Sequence, residues 1–257
     1  MNNDLSGRTA LITGGSKGLG LAMATAFAKA GAAVAIVARG ADALASAEAS
    51  IIAAAPGARV IAIAADVGTA EGCARATEAA GAVDILINNA GTSQRGPFLE
   101  QTDAFWQSDL DLKLFAAIRL ARAVLPGMRV RKWGRIINVL NIGAKAPLAT
   151  SAPTSVSRAA GMALTKALAN EFAPDNILVN ALLVGIIESD QWVRRHANEK
   201  RNITWEEWKA EQGKTVPLGR LGRAEEFAAT ALFLCSEGGG YITGTALNVD
   251  GGKSPVV

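Results

Sequence analysis

Short apolar runs alternate with longer, alanine-rich stretches along nearly the whole chain. The runs cover residues 9–12, 33–38, 60–65, 85–88, 135–139, 178–183 and 246–249. Most are apolar at successive positions, not at every second one. A strand reads this way when both of its faces are covered, as in a parallel sheet. The stretches between the runs are long enough for helical crossovers, so strand–helix–strand units repeat. Right-handed crossovers leave few topologies, and a doubly wound α/β arrangement fits best. Gly31 is placed to stop the first helix, and Gly7 and Gly134 stand just before strands. No linker, repeat or low-complexity segment interrupts the pattern, so the chain reads as a single domain over 1–257. Residues 188–214 break the rhythm: they are polar, mixed in charge, and carry Trp192, Trp205 and Trp208. Two readings stand for this segment, a helical flap over the C-terminal edge of the sheet or a surface helix pair with buried tryptophans.

Half of the 257 residues are apolar, enough to bury a large core. The formal charge is +3 and the basic residues are scattered, so no nucleic-acid or membrane surface is marked. No apolar run is long enough to span a bilayer, and the polar start carries no signal-peptide pattern. Cys73 and Cys235 are far apart, and each is expected to be a buried, reduced thiol in a cytoplasmic protein. A single histidine, His196, excludes a multi-histidine metal site, and no metal is expected.

The first run opens into Thr13-Gly14-Gly15-Ser16-Lys17-Gly18-Leu19-Gly20, followed by an alanine-rich helical stretch. A strand, a tight glycine turn and a helix start make an anion site from backbone alone, because the first N–H groups of a helix point at the turn. Gly14, Gly18 and Gly20 allow the chain to curl and a phosphate to approach without meeting a Cβ; Ser16, Lys17 and Leu19 fill the turn between them. Such a string is weak alone, and glycine placed only for packing is the bland alternative.

Arg39 follows the second run, with Ala38 standing where a dinucleotide fold places an acid for the ribose hydroxyls. With Lys17, it offers two cations to a 2′-phosphate, so NADP(H) is favoured over NAD(H). Asp66 and Val67 end the third run; the carboxylate either meets an adenine amino group or caps the helix near Thr69. After the fourth run, Asn89 can tie neighbouring backbone groups while Ala90 and Gly91 allow a ribose to come close.

With these residues in order, the chain resembles the short-chain dehydrogenase/reductase family over essentially its whole length. Residues 13–20 match the family's TGxxxGxG turn, and Asn88-Asn89-Ala90-Gly91 its mid-chain signature. Residues 134–139 resemble the strand before the active-site serine. Val179-Asn180-Ala181 and the segment from Gly185 through Ile187 to Ser189 resemble the cofactor loop after strand six. Residues 216–220 and 248–252 resemble its C-terminal segments. The resemblance implies a Rossmann-type, mostly parallel seven-stranded sheet, a nicotinamide cofactor, a small-molecule substrate, and a homodimer or homotetramer.

The departures fall on the chemistry. The family uses Tyr-x-x-x-Lys, a nearby Ser and a helical Asn. Aligning Ser157-Arg158-Ala159-Ala160 with the family's Ser-Lys-Ala-Ala puts Thr154 at the Tyr position and Arg158 at the Lys position. Asn141 then falls at the Ser position and Lys113 at the Asn position. Thr154 is too weak an acid to replace a tyrosine, and Arg158 stays charged, holding the nicotinamide ribose without exchanging protons. Asn141 keeps an amide that can donate to a carbonyl oxygen. Losing a general acid costs roughly 10²–10⁴ in rate while leaving cofactor binding intact.

Lys113 is the candidate replacement. Facing Arg158 at about 6 Å and an effective dielectric near 20, it would feel about 3 kcal/mol of repulsion, bringing its pKa towards useful acid–base work. The alternative is a salt bridge from Lys113 to Asp109 or Asp111 on a solvated helix face. A second set, Ser151, Thr154, Ser155 and Ser157 with His196 on the flap, ranks below it; loop and cap roles are usual for such residues. Tyr241, the only tyrosine, is expected to pack within the C-terminal segment. The leading expectation is an atypical NADP(H)-dependent oxidoreductase, with Lys113, Arg158 and Lys145 suiting an anionic substrate. The alternatives are a non-catalytic NADP(H)-binding sensor or subunit, and a lyase or dehydratase using the dinucleotide structurally.

Overall fold

A computed structural model of the chain describes residues 3–93, 95–199 and 201–257. Seven strands form one sheet: β1 (Thr9–Thr13), β2 (Ala33–Ala38), β3 (Val60–Ala64), β4 (Ile85–Asn88), β5 (Gly134–Asn141), β6 (Ile177–Val184) and β7 (Ala246–Val249). Their spatial order is β3-β2-β1-β4-β5-β6-β7, and every pairing is parallel. This is the doubly wound Rossmann-type sheet in a single α/β domain. β5 and β6 extend beyond the apolar runs at both ends, and polar side chains of β4 and β5 find partners inside the protein. Asn88 Nδ2 donates to Asn138 Oδ1 at 2.8 Å, and Asn138 Nδ2 to Thr165 Oγ1 at 2.8 Å. No helix of the described residues is long and apolar enough to cross a membrane.

Continuous apolar runs are explained by what each strand buries. In β1, Ala10 and Ile12 join one core layer while Leu11 joins the other; in β4, Ile85 and Ile87 face one layer and Leu86 the other. Side chains still alternate, but both faces are dry. Helices α1 (Gly18–Lys29), α2 (Ala41–Ala54) and α9 (Ala224–Cys235) cover one face, where Met23, Phe27 and Phe227 are fully buried. Helices α3 (Ala70–Ala80), α5 (Ala116–Arg131) and α6 (Ala152–Phe172) cover the other, with Leu120, Met128 and Ala169 inside. Gly31, at φ +90°, turns the chain just past α1.

Helix α4 (Asp103–Leu110) runs into α5 through one wider π-type turn, Asp111–Phe115. Such a turn inserts an extra residue and rotates the side chains that follow; it is rare and tends to mark functional sites. After β6 come two short helices, α7 (Asp190–Glu199) and α8 (Trp205–Gly213). Thr204 and Glu207 form a capping box at the start of α8. Trp208 is fully buried and stacks on Trp205. α7 and α8 thus form a helix pair with a buried tryptophan.

Because Phe27 is enclosed between α1 and the sheet, Phe27→Ala is expected to cost about 3–5 kcal/mol, read from the urea unfolding midpoint. A loss below about 1 kcal/mol would mean that the layer collapses around the void.

Candidate functional site

In the sheet order, β1 lies between β2 and β4, and the chain leaves β1 and β4 toward opposite faces. That divergence opens a crevice at the C-terminal ends of the two strands. Thr13 closes its floor. Its Oγ1 accepts from the N–H groups of Asn89 (3.0 Å) and Ala90 (2.9 Å), and Asn89 Nδ2 donates to the Thr13 carbonyl (2.9 Å) and the Gly14 carbonyl (3.3 Å). Gly14 and Gly18 have φ of +64° and +52°. A Cβ on Gly20 would strike the Gly14 carbonyl and lie 2.7 Å from Asn89 Nδ2. The turn is thus drawn against β4 as closely as glycine permits. The first turn of α1 has no capping side chain and no acid, so its N–H groups and positive end face the crevice.

The other nucleotide-binding candidates surround this turn. Gly15 N–H donates to the Val37 carbonyl (3.2 Å), which hangs the turn holding Ser16 and Lys17 beside the end of β2. Arg39, two residues further, is exposed there. Leu19 packs its side chain against the core. Ser189 lies 3.6 Å from the place of a Cβ on Gly18, so the loop after β6 reaches the turn. Gly185 passes so close to Asp250 that a Cβ would sit 2.6 Å from its Cα, and buried Ile187 bridges to Gly222. Val67 is buried in the core. Asp66 is exposed and accepts from Gly68 N–H (2.9 Å); the N-cap of α3 is Thr69, whose hydroxyl accepts from Gly72 N–H (2.9 Å). The capping expected of Asp66 therefore belongs to its neighbour, because only a residue adjacent to the helix reaches the N3 donor.

The residues at the atypical positions meet on the far side of the crevice. The π-type turn carries Lys113 inward, where it is buried at 6 % exposure. Its Nζ pairs with Asp109 and donates to Thr154 Oγ1 at 2.9 Å. The second Asp109 oxygen accepts from Ser157 Oγ at 2.6 Å. Arg158 Nη1 donates to the Val139 carbonyl (2.6 Å), while its Nε is buried with no hydrogen-bond partner. A Cβ on Gly91 would lie 2.6 Å from Arg158 Nη2 and 3.7 Å from Lys113 Cγ, so both side chains border the same glycine. At the end of β5, Asn141 turns its Oδ1 inward, buried without a partner. Burial, and then Arg158, hold Lys113 down to about 8, against the upward pull of Asp109. Burial lowers Arg158 to about 10, leaving it charged at neutral pH.

Both sequence readings of Lys113 contain part of this arrangement. The lysine does pair with Asp109, but in the interior and not on a solvated face. Asp111 pairs instead with Arg119 (3.3 Å). Sequence reasoning missed Thr13, whose signal was a hydroxyl ending an apolar run, and treated Asp109 only as a surface partner. Its i,i+4 spacing to Lys113 was visible; the π-type turn that buries the pair was not. Lys145 is used elsewhere, donating to the Ala246 carbonyl (2.7 Å) and Asn248 Oδ1 (3.0 Å) of β7. Tyr241 does not pack as expected. It is fully exposed ahead of β7, at the opposite edge of the sheet, because the short turn there leaves its ring without a neighbour. His196 hydrogen-bonds the Ile203 carbonyl through Nε2 (3.0 Å) and contacts Trp205 and Trp208, binding α7 to α8.

A family profile described as Enoyl-(Acyl carrier protein) reductase matches residues 14–254. The 3-oxoacyl-(acyl-carrier-protein) reductase of Aquifex aeolicus is 33% identical over 98% of this chain and 99% of its own. L-Sorbose reductase from Gluconobacter frateurii, solved with NADPH and L-sorbose, is 38% identical, with a TM-score of 0.95 and full coverage of both chains. An NADPH-bound short-chain oxidoreductase from Pseudomonas aeruginosa PAO1, described as containing an atypical catalytic center, is 39% identical, with a TM-score of 0.91 over 99% of each chain.

A lysine whose pKa is lower folded than unfolded costs stability wherever it is charged, and that cost fades as pH rises from about 8 towards 10.5. Wild type should therefore gain up to about 3 kcal/mol on Lys113→Met across this window. Parallel unfolding curves for the two proteins at each pH check this; a constant gap between them would show that Lys113 titrates as a solvated lysine.

Proposed function

The chain belongs to the short-chain dehydrogenase/reductase family, and on that premise we propose that it is an NADP(H)-dependent oxidoreductase for a carbonyl or alcohol, with Lys113 as its proton donor. One observation carries the reading: Lys113 is folded inward, with its Nζ 2.9 Å from Thr154 Oγ1. The residues fit a dinucleotide. Gly14, Gly15 and Gly20 leave no room for a Cβ, the first N–H groups of α1 have no side-chain cap, and Arg158 Nε is buried without a partner. Gly14, Ser16, Gly18 and the start of α1 would hold the pyrophosphate, Asn89 to Gly91 and Arg158 the nicotinamide-side ribose, and Lys17 with Arg39 the 2′-phosphate. Two relatives solved with NADPH support this cofactor.

A bound nicotinamide supplies or removes a hydride at the substrate carbon. The protein must then handle the oxygen. In reduction, Lys113 gives a proton from its ammonium to that oxygen as the C=O π bond becomes C–H and O–H, and solvent restores the proton. An acid near 8 suits this work at neutral pH. Thr154 accepts from Lys113, which fixes the ammonium in place. Asn141 has its Oδ1 turned inward, leaving Nδ2 to donate to the substrate oxygen. Arg158 supplies a permanent positive field. Two cations against one carboxylate leave a positive pocket, which suits an anionic substrate.

NADPH oxidation across a panel of carbonyl compounds tests the activity. Lys113→Met should lower kcat by about 10²–10⁴ with NADPH binding retained; full turnover in that variant removes Lys113 from the chemistry. Tight NADPH binding by wild type with no turnover on any compound would mark a nucleotide-binding subunit instead. Arg39→Ala should weaken NADPH by about 10-fold or more and leave NADH unchanged, measured by calorimetry. Equal or tighter NADH binding by wild type would reverse the cofactor assignment.

A further inference from the structure

We propose that Asp109 is the positioning residue of this site: one carboxylate oxygen clamps Lys113 Nζ against Thr154, and its single negative charge is shared between Lys113 and Arg158. This rests on the reading of Lys113 as the proton donor. The geometry is that of a held group and not of a chance contact. Asp109 and Lys113 have side chains at 1 % exposure each. One Asp109 oxygen takes Lys113, and the other takes the Ser157 hydroxyl at 2.6 Å, so the carboxylate cannot rotate without losing a partner. Lys113 in turn reaches Thr154 at 2.9 Å. Thr154 and Ser157 both stand on α6, one turn apart and next to Arg158. A carboxylate on α4 thus fixes a lysine on the π-type turn in register with α6.

The charge arithmetic also points to Asp109. Lys113 and Arg158 both border Gly91, and the only carboxylate that reaches Lys113 among the described residues is Asp109. Asp109 acts on both cations, opposing the downward push of burial on each. Asp111 is turned away to Arg119 and Gln107, and Lys145 is held by β7. Without Asp109, two like charges would share a dry pocket, and the one able to lose its proton is Lys113. A buried pair serving only stability could be exchanged for apolar side chains without consequence for Thr154; here the pair defines where the ammonium points.

The test is a titration that needs no substrate. In protein labelled with ¹³Cε-lysine, the Lys113 signal is assigned by its loss in Lys113→Met, and its midpoint is followed with pH. Asp109→Asn should lower that midpoint by at least about one pH unit. Arg158→Met, which leaves one carboxylate for one cation, should raise it by a similar amount and gives the answer if Asp109→Asn does not fold. Asp109→Glu should keep the midpoint near wild type while lowering kcat, because the charge remains and the ammonium is displaced. A midpoint unmoved in Asp109→Asn, or unmoved in Arg158→Met, overturns the proposal. If no carbonyl compound is turned over, the functional reading fails, and the titration still decides the role of Asp109.

Discussion

The hydrogen bonds from Asn89 and Ala90 to Thr13 fix the distance between the ends of two strands whose helices depart in opposite directions. Everything chemical in this protein is placed relative to that clasp. The sheet order obliges a crevice at β1 and β4, but topology alone does not set its width. Thr13 Oγ1 receives two backbone N–H groups, and Asn89 returns a side-chain donor to the Thr13 and Gly14 carbonyls. The glycine turn is thereby pulled in until no Cβ fits at Gly20. The same segment continues to Gly91, which is where Arg158 and Lys113 come to rest. The glycine turn and the cluster around Lys113 and Arg158 lie at two ends of one short strip of backbone.

Burying a lysine and an arginine together would ordinarily be prohibitive, because the charged forms lose hydration and repel each other. Three features offset the cost. Asp109 provides a fully buried countercharge, Thr154 and Ser157 satisfy the remaining polar atoms of the pair, and the Val139 carbonyl takes one Arg158 donor. The compensation is incomplete: Arg158 Nε and Asn141 Oδ1 have no partner. Unpaired buried polar atoms are uncommon and costly in folded proteins. One is a donor and the other an acceptor, so a ligand meeting both would have to offer an acceptor to Arg158 and a donor to Asn141.

The sheet was legible because its signal is redundant. Most strands repeated the same continuous apolar run, and glycines punctuated several elements at their ends. The glycine turn was legible for the same reason, since strand, turn and helix each supported the others. The cluster around Lys113 was legible only as positions. Lys113, Thr154, Arg158 and Asn141 could be named from their order, yet whether Lys113 faced solvent or the interior depended on one π-type turn. No residue type announces that turn; it is fixed by packing of α4 and α5 against α6. Asp109 was hidden by the same gap, since an acid four residues before a lysine reads as an exposed helix pair until the rotation is known. Lys145 misled for a simpler reason: its side chain is settled by β7, an element distant in sequence, while Tyr241 stands fully exposed in the turn before that strand.

Replacing a tyrosine–lysine pair by threonine and arginine, as the resemblance implies here, divides labour that the pair shares. A phenol gives up its proton from a neutral state, and a neighbouring cation eases that loss. An ammonium gives up its proton from a charged state, and a neighbouring cation eases that loss as well, by relieving repulsion. The requirement for a fixed positive charge is therefore unchanged, and arginine meets it better than lysine because it does not titrate in the same range. What changes is the identity of the group that must stay soft. In the proposed site that group is Lys113, and a lysine becomes a usable acid near neutrality only when burial and a second cation push it down while a carboxylate stops it from losing its proton altogether. Arg158, the dry pocket and Asp109 supply those three conditions, and the substitution at each family position makes chemical sense only in the company of the others.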